Sequence, residues 1–244
     1  MMFPNRGLIA ISGEDRVSFL QGLVTNDVGA GPVYACLLTA QGRFLHDFFV
    51  VPDGDRLLID CEADRRDDLI RRLKQFRLRA KVEIEEETGS VVFDDPRHPS
   101  LGQRNVPNEE SYEDWDRKRI ALGVPDGSRD MVPQQALLLE SNIDRLNGIA
   151  WDKGCYIGQE LTARMHHRGG VKRRLTPVRI EGPAPAPGTM IMAGEKEAGE
   201  MRSSCGDIGL ALLRLDAAME SLMCDGVPLY PLDVIASEKR SNAD

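Results

Sequence analysis

No apolar stretch in this 244-residue chain approaches the roughly 20 residues that a membrane-spanning helix needs. The N-terminal MMFPNRGLIAISGEDR has neither a charged segment leading into an apolar core nor an Arg/Ser-rich, acid-poor composition. A cytoplasmic protein without membrane contact is therefore expected. Positive charge is not in excess either: 31 Lys and Arg stand against 39 Asp and Glu, for a net charge of -8. A balance of that sign argues against a general nucleic-acid or membrane binder with a basic surface, so any anion site must be local.

Paired cysteines are also missing. The five cysteines, Cys36, Cys61, Cys155, Cys205 and Cys224, are odd in number, far apart and never in CxxC spacing. That pattern supports neither a disulfide framework nor a self-contained zinc or iron-sulfur site. Cys36 and Cys61 lie in or beside strand-like apolar runs, where a thiol behaves as a small hydrophobe. Absent too are a GxGxxG after a strand, a Walker loop, HExxH and GxSxG, which leaves hydride transfer, NTP hydrolysis and serine hydrolase chemistry unsupported. No repeat recurs at a fixed period.

What is there reads as a mixed α/β chain with 41% hydrophobic residues, enough for ordinary cores. LIAIS forms a strand, and Val17, Leu20 and Leu23 then take helical spacing, with Ser12 or Asp15 placed to cap that helix. YACLLTAQGRFLHDFFVVPDGDRLLID gives three apolar runs broken at Gln41-Gly42 and at 52–55, which is hairpin grammar. Leu69, Ile70, Leu73 and Phe76 predict an amphipathic surface helix, and KVEIEEE and SVVFDD predict strands. Residues 94–110 form a loop or domain edge, and SYEDWDRKRIALGV resumes helical periodicity. MVPQQALLLESNIDRLNGIAWDKG has an apolar middle but too many turn residues for one long helix. LTPVRIEG is a strand, GPAPAPG at 182–188 reads as a linker, and the remainder reads as a small β-rich domain.

The chemistry concentrates in KGCYIGQELTARMHHRGGVKRR. Gly154 and Gly158 bracket Cys155, Tyr156 and Ile157, so the backbone can turn sharply, and helix formers follow from Gln159 to Arg164. Cys155 is expected just outside or within the first helical turn, where orphan N–H groups, the helix dipole and Lys153 favour a thiolate. The competing reading makes Cys155 a small buried residue at a tight turn. Arg164, Arg168, Lys172, Arg173 and Arg174 follow with no acid among them, which reads as an anion site, a docking patch or a solvated loop and edge strand. His166 and His167 would point apart on a strand, so they cannot easily chelate a metal with Cys155, and no protein-only metal site is assigned. Glu160 and Arg164 at i,i+4 suit a helix-supporting ion pair, and Gln159 suits a hydrogen-bonding support.

These residues resemble a family. KGCYIGQE is similar to the K-G-C-Y-x-G-Q-E signature of the YgfZ/GcvT family of folate-binding proteins. FLQGLVTNDV at 19–28, FRLRAKVEI at 76–84, RIALGVP at 119–125, LLLESNIDRLNGIAWDKG and SSCGDIGLALLR resemble further family elements in the expected order. The resemblance implies an α+β, aminomethyltransferase-like folate-binding body from 1–50 and 111–174, a ferredoxin-like α+β portion at 51–110, and a small C-terminal β-barrel domain at 175–244.

It further implies a tetrahydrofolate, or a one-carbon derivative, as cofactor. Glu140 in LLLESN matches the family's pterin-contacting acid, and Lys153, Tyr156, Gln159 and Glu160 join it as cofactor-binding candidates. Arg164, Arg168, Lys172 and Arg174 are the cations for a glutamyl tail, and Cys155 is the functional thiol. The role implied is that of an accessory factor in assembly or maintenance of [4Fe-4S] enzymes and radical-SAM tRNA methylthiotransferases. Its partners would be those client enzymes and A-type iron-sulfur carrier proteins, with no direct nucleic-acid contact and with a monomeric chain. The alternative is an aminomethyl or one-carbon transferase. Its catalytic acid would align with Asp67 or Asp68 in DCEADRRDD, a stretch that lacks the family's asparagines.

Overall fold

Strong β-formers in LIAIS, VYACLL, FLHDFFVV and RLLID build the central sheet of the first of two units. The computed structural model describes residues 3–29, 31–106, 110–217 and 221–232. It divides into two compact units, Met1–Tyr112 with Asp126–Val171, and Glu113–Pro125 with Lys172–Asp244. The last twelve residues of the expected domain at 175–244 lie outside the described ones.

In the first unit, β1 (Arg6–Ser12), α1 (Arg16–Gln21), β2 (Val33–Leu38), β3 (Phe44–Asp53) and β4 (Arg56–Glu62) follow one another, then α2 (Arg66–Phe76) and β5 (Glu83–Glu87). The five strands form one antiparallel sheet in the order β2-β3-β4-β1-β5, so strands from the ranges 1–50 and 51–110 share a sheet. Both faces are covered, as the almost unbroken apolar run of β3 requires. Phe48 and Val50 pack on one side with Leu69 and Leu73 of α2, the two inward positions of that helix's stripe. Phe49 and Val51 pack on the other with Tyr34, Leu138, Leu139 and Tyr156. A register shift between Leu37 and Leu38 sends Leu45 to the first face and Phe44 to the second. Asp15 stands at the N-cap of α1, but its carboxylate accepts the Lys81 N–H at 2.8 Å instead of capping the helix.

The strand expected in SVVFDD shrinks to β6 (Phe93–Asp94), paired with β7 (Gln103–Arg104). This excursion carries arginines into the second face. Arg97 and Arg104 share the buried Asp95 carboxylate and lie over the Phe49 ring. Arg6 binds Asp60 beside them at 2.5 Å. Buried charge on this scale survives because each carboxylate has a cationic or amide donor.

Neighbours on β3 titrate in opposite senses. Asp47 accepts the Tyr34 hydroxyl at 2.9 Å through Oδ2, while its buried Oδ1 has no hydrogen-bond partner among the described residues. Burial, aided by Glu62, raises its pKa from 3.8 to about 6. His46 faces the other way; burial, then the Arg65 cation, lowers its pKa from 6.5 to about 4 against the bond to Asp68. The Asp47 contribution to stability is present at low pH and is lost as pH rises through about 6. The His46 contribution is present above 6.5 and is lost as pH falls toward about 4. The two oppose each other in between. Asp47→Asn should therefore unmask the histidine: the urea midpoint of the variant should rise between about pH 4.5 and 6.5 by an amount worth on the order of 2 kcal/mol, where the wild type stays nearly flat. Equal slopes in the two proteins would refute this.

The chain enters the second unit through α3 (Tyr112–Ala121) and returns at Asp126. Trp115, Arg119 and Leu122 of the expected helical face are buried. Arg119, fully buried, donates to Asp116 at 2.7 Å, to the Val124 carbonyl at 3.1 Å and to Ser203 Oγ at 2.7 Å. Back in the first unit, 133–147 is a succession of turns, as its composition requires, and α4 (Gln159–Arg168) closes that unit.

The remaining described strands of the second unit form a closed barrel. Its strands are β8 (Arg173–Ile180), β9 (Met190–Ala193), β10 (Lys196–Cys205), β11 (Ile208–Arg214), β12 (Leu222–Cys224) and β13 (Val227–Pro231), in the order β10-β11-β8-β13-β12-β9. The Pro/Gly/Ala stretch at 182–188 is therefore not a linker between domains. It joins β8 to β9 inside one barrel, because β8 pairs with both β11 and β13.

Candidate functional site

Residues 151–158 have no regular structure, yet three devices hold them in place. The first is Lys153, whose ammonium donates to the carbonyls of Gln21, Val24 and Asn26 at 2.8, 2.7 and 2.8 Å. Burial pulls its pKa down to about 8, against the attraction of Asp27, so at neutral pH it still carries all three donors. The second is Tyr156, buried in the core of the second sheet face, with a hydrogen bond to Thr162 and a pKa pushed by burial up to about 12. Lys153 Nζ also lies 5.3 Å from the centre of its ring.

The third device is Gly158, the N-cap of α4 at φ 79°. A Cβ there would meet the Thr39 carbonyl oxygen at 2.5 Å and Gly42 Cα at 3.0 Å, and a Cβ on Gly42 would meet the Gly158 carbonyl oxygen at 2.8 Å. Two glycines far apart in sequence thus let α4 seat on the β2–β3 turn. Gln159 then ties the entrance: its N–H donates to the Tyr156 carbonyl and its Oε1 accepts the Tyr156 N–H, both at 3.3 Å. This is the support expected of an amide.

On this frame Cys155 is exposed, whereas Cys36, Cys61 and Cys224 are buried and Cys205 is intermediate. Burial pushes the Cys61 thiol up to about 12 and raises that of Cys36. Cys155 stands three residues before the N-cap, outside the first turn, so the tight-turn reading as a small buried residue does not hold. Gly154 beside it has no positive φ, and a Cβ there would touch nothing within 4 Å. Nothing in the fold requires a glycine at that position.

The basic run divides. Arg164 pairs with Glu160 on α4, the i,i+4 bridge expected from spacing. His166 and His167 also lie on α4 instead of a strand, because helical periodicity persists to Arg168. Their rings meet edge to face at 5.2 Å, and His166 stacks on Trp151 at 3.8 Å and 15°. That stack fastens the loop to the helix and was not read from sequence; the i-to-i+15 pairing of two aromatic residues has no local signature. Arg168 is exposed at the end of α4. Lys172 and Arg174 fall in the second unit, Arg174 on β8.

Glu140 is buried among the turns of 133–147, between Leu139 and Ser141, which are buried as well. The two aspartates offered for a transferase are placed otherwise. Asp67 is 93% exposed on α2. Asp68 takes hydrogen bonds from Arg71, from Arg72 at 2.6 Å and from His46 at 2.8 Å, donors that outweigh partial burial and hold its pKa well below the usual carboxylate range. So restrained, it is a helix-anchoring acid and a poor proton acceptor. Among the described residues no three His, Cys, Asp or Glu side chains gather as a metal site.

The fold, a two-faced antiparallel body and a closed six-stranded barrel, is aminomethyltransferase-like, and it carries an exposed thiol on a pinned loop. The comparison with solved structures agrees. The crystal structure of glycine cleavage system aminomethyltransferase T from Bartonella henselae matches with a TM-score of 0.69 at 10% identity, covering 93% of this chain and 82% of that one. Residues 172–234 match the family model for the CAF17 C-terminal beta-barrel domain. The mitochondrial iron-sulfur cluster assembly factor IBA57 homolog of Coccidioides immitis is 31% identical over 98% of this chain and 77% of its own length. The IBA57 proteins of Mus musculus and Homo sapiens are 32% and 33% identical, over 86% and 85% of this chain and 75% of each relative. The chain belongs to the IBA57 family of iron-sulfur cluster assembly factors.

These relatives are mitochondrial by name, which overturns the expectation of a cytoplasmic protein. That expectation rested on the lack of a membrane-length apolar run and on the composition of one short stretch, neither of which decides a compartment.

Proposed function

We propose that this protein acts in the assembly or maintenance of [4Fe-4S] proteins, in the mitochondrial setting of its relatives, and that Cys155 is the residue through which it acts. One observation carries the reading. The single exposed thiol among the five cysteines sits on a segment that Lys153, Tyr156 and Gly158 hold in one place. A fixed, accessible thiol suits transient ligation of an iron or a cluster edge, with the remaining ligands coming from a partner. A-type carrier proteins are the partners of that kind, and [4Fe-4S] enzymes, tRNA methylthiotransferases among them, are the clients.

The cofactor proposed with it is a reduced folate. Glu140 offers a buried carboxylate that can accept from two N–H groups of a pterin, and Arg168 offers an exposed cation for a carboxylate tail. Such a folate would supply a one-carbon unit.

The test is complementation of cells lacking the protein with wild type or Cys155→Ser at matched soluble abundance, reading [4Fe-4S] enzyme activity. The serine variant should fail while melting at the wild-type temperature, since the side chain is exposed. Full rescue would remove the thiol from the mechanism. For the folate, titration of purified protein with 5-formyltetrahydrofolate should show binding weakened about tenfold or more by Glu140→Gln, the loss of one charge-assisted pair. Equal affinities would remove Glu140 from any pterin site.

A further inference from the structure

The tip that follows α2 is built against local preference. Its sequence is Lys74-Gln75-Phe76-Arg77-Leu78-Arg79, in which apolar and basic residues alternate from Phe76 onward. The Ala80 N–H closes a turn on the Arg77 carbonyl at 2.7 Å, with Leu78 at its first central position at φ 40°. A positive φ at that position calls for Gly or Asn, and a branched apolar side chain there is strained. Leu78 gets nothing back from the fold, because it is 90% exposed, and Phe76 beside it is 41% exposed.

The charges are as unusual. Flanking cations are ion-paired with acids of the chain: Arg71 and Arg72 share Asp68, Arg66 pairs with Glu86 and Lys81 with Glu14. Lys74, Arg77 and Arg79 at the tip are exposed and make no ion pair among the described residues. In a chain of net charge -8, three unpaired cations around two exposed apolar side chains form an isolated spot of opposite character.

We propose that this tip is a docking knob for a protein partner that presents an apolar socket rimmed with carboxylates. Leu78 and Phe76 enter the socket, and Lys74, Arg77 and Arg79 meet the rim. An anionic membrane is the other surface of matching charge, but β5 argues against it. Its exposed Glu83 and Glu85 begin only a few residues beyond the tip and would be repelled by a broad anionic plane, whereas a socket takes the tip alone. The knob lies on a different element from Cys155, and the proposal does not depend on the thiol.

The test places the photo-cross-linking residue p-benzoylphenylalanine at position 78 of the full chain in cells. A discrete protein adduct is expected, lost in Arg77→Glu/Arg79→Glu, and that protein, once purified, should bind Leu78→Asn about tenfold more weakly than wild type. Leu78→Asn should also melt about 2–4 °C higher than wild type, since Asn accepts the turn geometry. A loss of binding with a gain of stability separates docking from a structural role. Absence of a protein adduct, an adduct insensitive to charge reversal, or Leu78-dependent flotation of the protein on cardiolipin-rich phosphatidylcholine vesicles would each overturn the proposal. These readouts use no iron-sulfur assay, so they stand or fall apart from the function proposed above.

Discussion

Gly158→Ala should lower the stability of the protein by about 3 kcal/mol, a fall in melting temperature of roughly 10 °C. Two costs add. At φ 79° an alanine is in the left-handed region, a penalty of about 1 kcal/mol. The added Cβ would also stand 2.5 Å from the Thr39 carbonyl oxygen and 2.9 Å from Leu38 Cβ, so the backbone of α4 and of the β2–β3 turn must separate, at a further cost of about 2 kcal/mol. Gly54→Ala is the control. It has a similar φ of 60° with nothing within 4 Å of its Cβ, and should cost only the conformational penalty of about 1 kcal/mol. Gly42→Ala should resemble Gly158→Ala, and the double variant should cost less than the sum, because both open the same contact. Thermal melts of the four variants against wild type check this. If Gly158→Ala is no worse than Gly54→Ala, the close approach of the two glycines is not what seats the helix.

How much of this was legible in the sequence depends on whether the cause is local. The hairpin breaks at Gln41-Gly42 and Pro52–Asp55, and the 3.6-residue stripe of Leu69, Ile70, Leu73 and Phe76, are local patterns, and the structure follows them except at Phe76, which the helix end leaves exposed. The cap of α1 failed because Asp15 has a tertiary partner, Lys81, across 66 residues. The supposed linker at 182–188 failed because composition reports a flexible connection but not what it connects, and here both ends enter the same barrel. In the site, Cys155, Gln159 and the Glu160–Arg164 pair were visible because the motif is contiguous. The three acceptors of Lys153, the Gly42 contact and the Trp151–His166 stack come from distant parts of the chain, and periodicity carries no trace of them.

Lys153 is where that distant support can be removed without touching the thiol. Lys153→Met keeps the aliphatic stem and deletes the three donors, leaving the carbonyls of Gln21, Val24 and Asn26 to water or to nothing. A hydrogen bond to a charged group contributes about 1.5–3 kcal/mol, and half-exposure lets water replace part of it, so the loss should be about 3 kcal/mol in all. Lys153→Arg should not restore it. A guanidinium directs its donors in one plane, whereas the three carbonyls converge on a single ammonium nitrogen. Urea unfolding measures the stability, and hydrogen exchange of amides 150–158 reports whether the loop has come loose. Both variants should also fail to restore [4Fe-4S] enzyme activity with Cys155 intact, if the thiol works only when held. A variant with a loosened loop and full activity would show that exposure alone is enough for Cys155, and that its fixed position serves the fold.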